Sequence, residues 1–233
     1  MKRDFLNRTK GGLIVSCQAL AHEPLHSSYI MSRMAVAAQM GGAYGIRANS
    51  VEDIAEMRKA VDLPFIGIIK KDYPDSPVYI TPTMDEVDAL VTTGVEVIAM
   101  DATNQIRPGG KTLDETFKPI REKYPDQLFM ADCATYEDAV HAKELGFDII
   151  GTTLCGYTPE TKGTSLPSLE LIRKLCSTLD MPVIAEGGIW SPETLHEVLS
   201  IPGLHAAVVG SAITRPFEIT KRYVAAIPEE NRH

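Results

Sequence analysis

Nothing in this chain approaches the ~20 consecutive apolar residues that a membrane helix needs, so a spanning segment is excluded from the outset. Positive charge is also short: 23 Lys and Arg stand against 31 Asp and Glu, for a net charge of −8. A protein that wraps nucleic acid or lies on anionic lipid needs surplus cationic charge, and both classes of partner are excluded on that ground. The four cysteines, Cys17, Cys133, Cys155 and Cys176, are widely separated and form no C-x-x-C pair. This excludes a disulfide framework and predicts free thiols in a reducing, cytoplasmic compartment. Six histidines show neither H-x-x-x-H nor H-E-x-x-H spacing, and no metal is expected. An export signal is missing as well. Lys2, Arg3, Arg8 and Lys10 precede a Ser16-Cys17 pair that superficially resembles a lipoprotein cleavage box, but only Leu13, Ile14 and Val15 lie between Gly12 and Ser16. A signal peptide requires an apolar run of roughly 7–15 residues. Finally, no Pro/Gly/Ser-rich linker or low-complexity tract divides the sequence, which predicts one domain over residues 1–233.

What is present is a repeating pattern. Short, almost continuously apolar runs occupy residues 12–18, 43–47, 64–70, 96–101, 127–132, 147–153, 182–186 and 206–211. Each is too short for a helix and reads as a strand buried on both faces. Between them lie helical patterns with recognisable starts. Ser50 with Asp53, Thr112 with Glu115 and Thr135 with Asp138 have capping-box spacing, and Ser191-Pro192 is an N-cap followed by proline at the first helical position. Gly146 sits where a left-handed helix stop is expected. Eight strand–helix units in this length predict an α/β fold closed into a (β/α)8 barrel. The competing doubly wound sheet is disfavoured because no G-x-G-x-x-G follows the first strand.

In such a barrel the active site forms at the C-terminal ends of the strands. The eight runs end on Gln18, Arg47, Lys70, Asp101, Asp132, Thr153, Glu186 and Ser211, all polar. Strands do stop where polarity begins, and that covers Thr153 and Ser211. It covers Arg47, Lys70 and Glu186 less well, because ionisable groups at a sheet rim are costly unless paired or used. After the seventh run come Gly187 and Gly188, and around the end of the eighth come Gly210 and Ser211. Glycine-bearing loops at these two places are the recurrent phosphate site of barrels, so a phosphorylated ligand is expected there. Asp101 reads equally as a loop cap, and His22 and His26 lie in the long loop after the first run.

These residues resemble the N-acetylmannosamine-6-phosphate 2-epimerase family of bacterial sialic acid catabolism, and the resemblance runs from Gly12 to about Tyr223. It is carried by Ile14-Val15-Ser16-Cys17-Gln18-Ala19-Leu20, Glu23-Pro24-Leu25-His26-Ser27-Ser28, Gly45-Ile46-Arg47-Ala48-Asn49, Ile66-Gly67-Ile68-Ile69-Lys70 and Tyr79-Ile80-Thr81-Pro82-Thr83. It continues in Met130-Ala131-Asp132, Gly151-Thr152-Thr153-Leu154 with Gly156-Tyr157-Thr158, Ala185-Glu186-Gly187 and Ala212-Ile213-Thr214-Arg215-Pro216. Cys133, Cys155 and Ser211 depart from the family pattern, the last where glycine is usual.

The resemblance implies a cofactor-free interconversion of N-acetylmannosamine 6-phosphate and N-acetylglucosamine 6-phosphate. It makes Lys70 and Glu186 the catalytic pair, with Lys70 read as the group that moves the C2 proton and the exchange of the two roles open at this point. Gln18, Arg47, Asp132 and Arg215 become sugar or phosphate contacts, with Thr153 and Tyr157 beside them. A homodimer is implied by the same analogy. Inverting C2 requires ring opening, a base at C2 and a donor for the enediolate oxygen. A free lysine titrates near 10.4, so Lys70 acts as that base only if burial or a neighbouring cation such as Arg47 depresses its pKa. Two alternatives remain open at this point: a Schiff-base aldolase or lyase acting on a phosphosugar, and a non-catalytic phosphosugar-binding protein.

Overall fold

The computed structural model describes residues 2–231. Eight parallel strands, β1 (Leu13–Cys17), β2 (Gly45–Asn49), β3 (Phe65–Ile68), β4 (Val97–Asp101), β5 (Leu128–Asp132), β6 (Ile149–Gly151), β7 (Val183–Glu186) and β8 (Leu204–Val209), pair in sequence order. The ring closes where β8 returns to β1, with Ile14 opposite Val208. Helices α1 (Lys2–Thr9), α2 (Ser28–Met40), α3 (Val51–Ala60), α4 (Met84–Val91), α5 (Leu113–Lys123), α6 (Tyr136–Leu145), α7 (Leu169–Thr178) and α8 (Pro192–Leu199) alternate with the strands, and α9 (Ser211–Thr214) and α10 (Pro216–Ala225) follow β8. The expected (β/α)8 barrel is therefore the observed fold, and every apolar run overlaps a strand, although β2 runs on to Asn49 and β8 begins at Leu204, outside the expected bounds.

The two-residue period of a strand explains why the runs are apolar throughout. Ile14, Ile66, Ile68, Val97, Ala99, Met130, Ile149, Ile184, Ala206 and Val208 share one buried cluster in the barrel interior. Their neighbours Val15, Ile46, Ile98, Phe129 and Ile150 belong to a second cluster, packed with helix residues such as Met31, Ile54 and Phe117. Phe5 of α1 is fully buried in the interior cluster, so the N-terminal helix closes one end of the barrel. The sequence pattern carried no expectation of α1.

The helix starts follow the expected chemistry, with one correction. Thr112 with Glu115 and Thr135 with Asp138 form complete capping boxes, and Gly146 ends α6 at φ 91°. Ser50 caps α3 through the Asp53 N–H, but the Asp53 carboxylate accepts from Ser28 Oγ at 2.6 Å instead of returning to the cap. Strand ends shift too. Arg47 lies inside β2, Lys70 lies beyond β3 in a bridge to Ile80, and Ser211 opens α9.

One cap bears on the site. Thr83 and Glu86 form a capping box on α4, and Glu86 Oε1 also accepts from Lys71 Nζ (3.1 Å) and Tyr73 Oη (2.9 Å). The segment that carries Lys70 is thus fastened to a helix N-terminus through its neighbour. Replacing Thr83 by alanine is expected to cost about 1 kcal/mol, the usual value of a lost N-cap. The check is a lowered urea midpoint at unchanged m-value.

Candidate active site

Inward parity brings polar side chains together at one end of the barrel. Continuing the interior positions past Ile14, Ile66, Met130, Ile149, Ile184 and Val208 reaches Ser16 and Gln18, Lys70, Asp132, Thr153, Glu186 and Gly210. Arg47 is the inward residue at the middle of β2. All of these groups except Asp132 border a cavity of about 370 Å³, inside the range of about 300–1,000 Å³ usual for small-molecule sites. Gln18, Arg47, Lys70, Thr153, Tyr157, Glu186, Gly187, Gly188, Gly210, Ser211 and Arg215 all line it.

Asp132 does not. It has no exposed surface, and its oxygens are taken by Arg47 Nη1 (3.1 Å to Oδ1), Arg47 Nη2 (2.5 Å to Oδ2) and Thr153 Oγ1 (2.6 Å to Oδ1). Asp132 and Arg47 form a bidentate pair, the geometry in which guanidinium and carboxylate bind most strongly. Asp101 is likewise turned inward on itself: its Oδ1 accepts from Thr103 N–H (2.9 Å) and Oγ1 (2.7 Å), and buried Arg107 lies 3.5 Å away. It fixes the loop after β4. Neither His22 nor His26 borders the cavity, and His26 Nδ1 lies 2.9 Å from the Ala19 carbonyl oxygen.

The electrostatics centre on Arg47. Its Nη1 also sits 3.2 Å from Glu186 Oε2, so one buried cation faces two carboxyl groups. Burial alone would disfavour the charged guanidinium, and Asp132 and Glu186 more than reverse that. Lys70 is left without either carboxylate as a direct partner, since both are engaged by Arg47. Burial lowers its pKa, the Arg47 charge lowers it further and Arg215 adds to this; Glu186 and Asp132 oppose but do not cancel it. Glu186 is displaced upward, first by burial and then by Asp132, against the pull of Arg47 and Lys70. A lysine shifted toward its neutral form therefore stands in the same cavity as a carboxyl shifted toward its acid form. That is the pattern of a base and an acid whose environments move their pKa values toward each other. The Lys71 side chain points the other way, to Glu86.

The cavity's other end is made of backbone. Gly187 and Gly188 take φ of 106° and 73°, which only glycine adopts freely, and a Cβ at Gly188 would come within 2.5 Å of the Leu166 carbonyl carbon. Ser211 starts α9, whose first N–H groups have no intrahelical acceptor. Arg215 donates from Nε (3.0 Å) and Nη2 (2.9 Å) to Glu23 Oε2 across the cavity mouth. Several lining residues were not singled out as site residues in the sequence: Ser16, Glu23, Tyr79 and Trp190. Parity would have found Ser16, two positions before Gln18, to which it is hydrogen bonded at 2.8 Å. Tyr79, its phenol pushed up to about 12 chiefly by burial, comes from an irregular loop with no period to read.

Comparison with known proteins places this geometry in a family. Residues 31–229 match the family described as "putative N-acetylmannosamine-6-phosphate epimerase". A protein of Enterobacter sp. (strain 638) is 55% identical over 227 residues, covering 97% of this chain and 96% of its own. One of Lactiplantibacillus plantarum is 53% identical over 229 residues, covering 97% and 100%. Both carry the name "putative N-acetylmannosamine-6-phosphate 2-epimerase". The solved N-acetylmannosamine-6-phosphate 2-epimerase from Clostridium perfringens superposes with a TM-score of 0.89 at 51% identity, covering 94% of this chain and 95% of that one.

Proposed function

The chain belongs to the N-acetylmannosamine-6-phosphate 2-epimerase family, and from that premise we propose that it is an isomerase of sialic acid catabolism that interconverts N-acetylmannosamine 6-phosphate and N-acetylglucosamine 6-phosphate at C2. The observation that carries this reading is the lysine held toward neutrality in the cavity beside Arg47, with both nearby carboxyl groups bonded elsewhere.

The C2 hydrogen is acidic only when C1 is an aldehyde, so the sugar ring opens first. Glu186, in its acid form, exchanges protons with the sugar oxygens during opening and closing. Neutral Lys70 then removes the C2 proton, and the negative charge moves onto O1 of a planar enediolate. The Lys70 ammonium returns a proton to the other face of C2, presented to it by rotation of the enediolate, which completes the inversion, regenerates the neutral amine and consumes no external reactant. Arg47, Gln18, Thr153 and Tyr157 border the sugar. The Gly187-Gly188 and Gly210-Ser211 backbone, with Arg215, suits a phosphate: close N–H approach and a two-pronged cation are what that group binds.

The test is to follow each epimer in D2O by NMR. Wild-type protein is expected to place deuterium at C2 of both sugars, and its absence there would refute the epimerase reading. Borohydride added during turnover is expected to trap nothing. Covalent sugar on Lys70 would instead support the lyase alternative.

The proposal extends to the whole chain. Residues 1–233 act as one domain in the cytoplasm, and no helix among the described residues is long and apolar enough to cross a membrane. A second copy covers α10, where Phe217, Tyr223 and Val224 are 60%, 77% and 50% exposed. Exposed apolar side chains gathered on one short helix suit an interface better than solvent.

A further inference from the structure

A hydroxyl group has one hydrogen to give and two lone pairs with which to accept. Thr153 Oγ1 stands between two carboxyl groups, 2.6 Å from Asp132 Oδ1 and 3.2 Å from Glu186 Oε2. One hydrogen cannot serve both. The shorter contact assigns it to Asp132, whose oxygens accept two further bonds from Arg47. What Thr153 then turns toward Glu186 is a lone pair. Two oxygen lone pairs at 3.2 Å repel unless a proton lies between them, and Glu186 is the group in a position to supply it.

We propose that Thr153 is a positioning residue: by committing its hydrogen to Asp132 it offers Glu186 an acceptor and so holds the Glu186 carboxyl in its acid form. The proposal rests on the epimerase reading, in which Glu186 serves as the acid. Glu186 Oε2 then donates to Thr153 and still accepts from Arg47 Nη1 at 3.2 Å. Thr152 fixes the backbone beneath it, accepting from the Glu186 N–H at 3.0 Å and donating to the Glu186 carbonyl at 2.9 Å. The charged groups facing Glu186 are Arg47 from β2, Lys70 from beyond β3 and Asp132 from β5; its neighbour on β8 is Val208.

The charge balance is consistent. Arg47 and Asp132 cancel, so one proton remains to be divided between Lys70 and Glu186. On Lys70 it makes an ion pair with neither group ready for the reaction. On Glu186 it leaves a neutral base and a neutral acid, which are the forms that proton abstraction and oxygen protonation require. Burial of Glu186 works in the same direction and the Arg47 and Lys70 charges oppose it; a hydrogen bond donated by Thr153 to Glu186 would oppose it too, and committing the Thr153 hydrogen to Asp132 removes that bond. Thr153 tips this single-proton choice without touching either the lysine or C2.

The test compares Thr153→Val, which keeps the shape and removes the hydroxyl, with Thr153→Ser, which keeps the hydroxyl. The valine variant is expected to lose about tenfold in kcat, the equivalent of a displacement of about one pKa unit in the acid, with KM little changed. The alkaline limb of its pH–rate profile is expected to move down by about one pH unit, because Glu186 gives up its proton more easily. The serine variant should restore both. Independently of turnover, pH-difference infrared spectroscopy follows the C=O stretch of a protonated carboxyl, assigned by its loss in Glu186→Gln. That band is expected to titrate lower in Thr153→Val than in wild type. An unmoved limb and an unmoved infrared titration would overturn the proposal. So would a rise in KM at constant kcat, which marks a substrate contact. If wild-type protein exchanged no deuterium at C2, the epimerase reading would fail while the infrared titration still decided the role of Thr153.

Discussion

Lys70→Ala is expected to abolish deuterium incorporation at C2, with kcat lowered by roughly 10³-fold, the middle of the range for a positioned acid or base. This corresponds to about 4 kcal/mol of transition-state stabilisation. The physical reason is the absence of a substitute. Among the ionisable groups bordering the cavity, Arg47 is held charged by two carboxyl groups, Tyr79 is pushed up to about 12, Glu186 is shifted toward its acid form and Glu23 is paired with Arg215. None of them accepts a proton from carbon near neutrality. KM should change far less than kcat, because an uncharged amine adds little to binding an anionic sugar. Lys71→Met serves as the control: its amine points to Glu86, outside the cavity, and activity is expected to stay within a factor of about two. The pH profile fixes the sign. Activity should rise with pH as the lysine–glutamate pair loses its first proton, and fall as it loses its second. The two limbs belong to the pair and not to either residue alone. Exchange that persists undiminished in Lys70→Ala would remove Lys70 from the mechanism.

The barrel was legible because a strand covered on both faces has no polar side to obscure it. All eight appeared as apolar runs, and the helix starts announced themselves through Thr112, Thr135 and Ser191. Much of the site was legible for a related reason. In strands of 3 to 6 residues, an ionisable side chain with inward parity, such as Arg47 or Glu186, has few destinations other than the barrel mouth. Polarity at a run's end could not separate the inward position from the next one. Ser211 therefore passed for a strand end, although it opens α9. Nor could it tell a group at the cavity surface from one beneath it: Asp132 and Glu186 look alike in sequence, yet one has no exposed surface and the other is 16% exposed. The Glu23–Arg215 pair joins residues 192 positions apart, and no local pattern announces it. Phe5 went unnoticed because a single aromatic in a basic, polar segment shows no period until the barrel beneath it exists.

The position of Asp132 beneath Arg47 leads to the second large effect. Asp132→Ala is expected to destabilise the protein by about 3 kcal/mol, because removing one partner of a buried ion pair leaves the other charge buried and uncompensated. The value sits at the low end of that range because Glu186, 3.2 Å from Arg47, takes over part of the load by ionising. Against a total stability of about 5–15 kcal/mol this is a large fraction, measurable as a fall in the urea midpoint at constant m-value. The origin of the loss is separable from simple loss of volume. If the cost is the stranded charge, Arg47→Met in the Asp132→Ala background should recover part of the stability, since apolar replacement of a buried pair is often close to neutral. If it is a cavity, the second substitution should leave the loss in place or enlarge it. Activity is expected to vanish in both variants. In Asp132→Ala, ionised Glu186 is no longer an acid and its charge draws the proton onto Lys70. In the double variant, the cation that kept Lys70 neutral is gone. Stability and catalysis thus respond to Arg47 in opposite directions: its charge is a burden to the folded core and a requirement for the amine beside it.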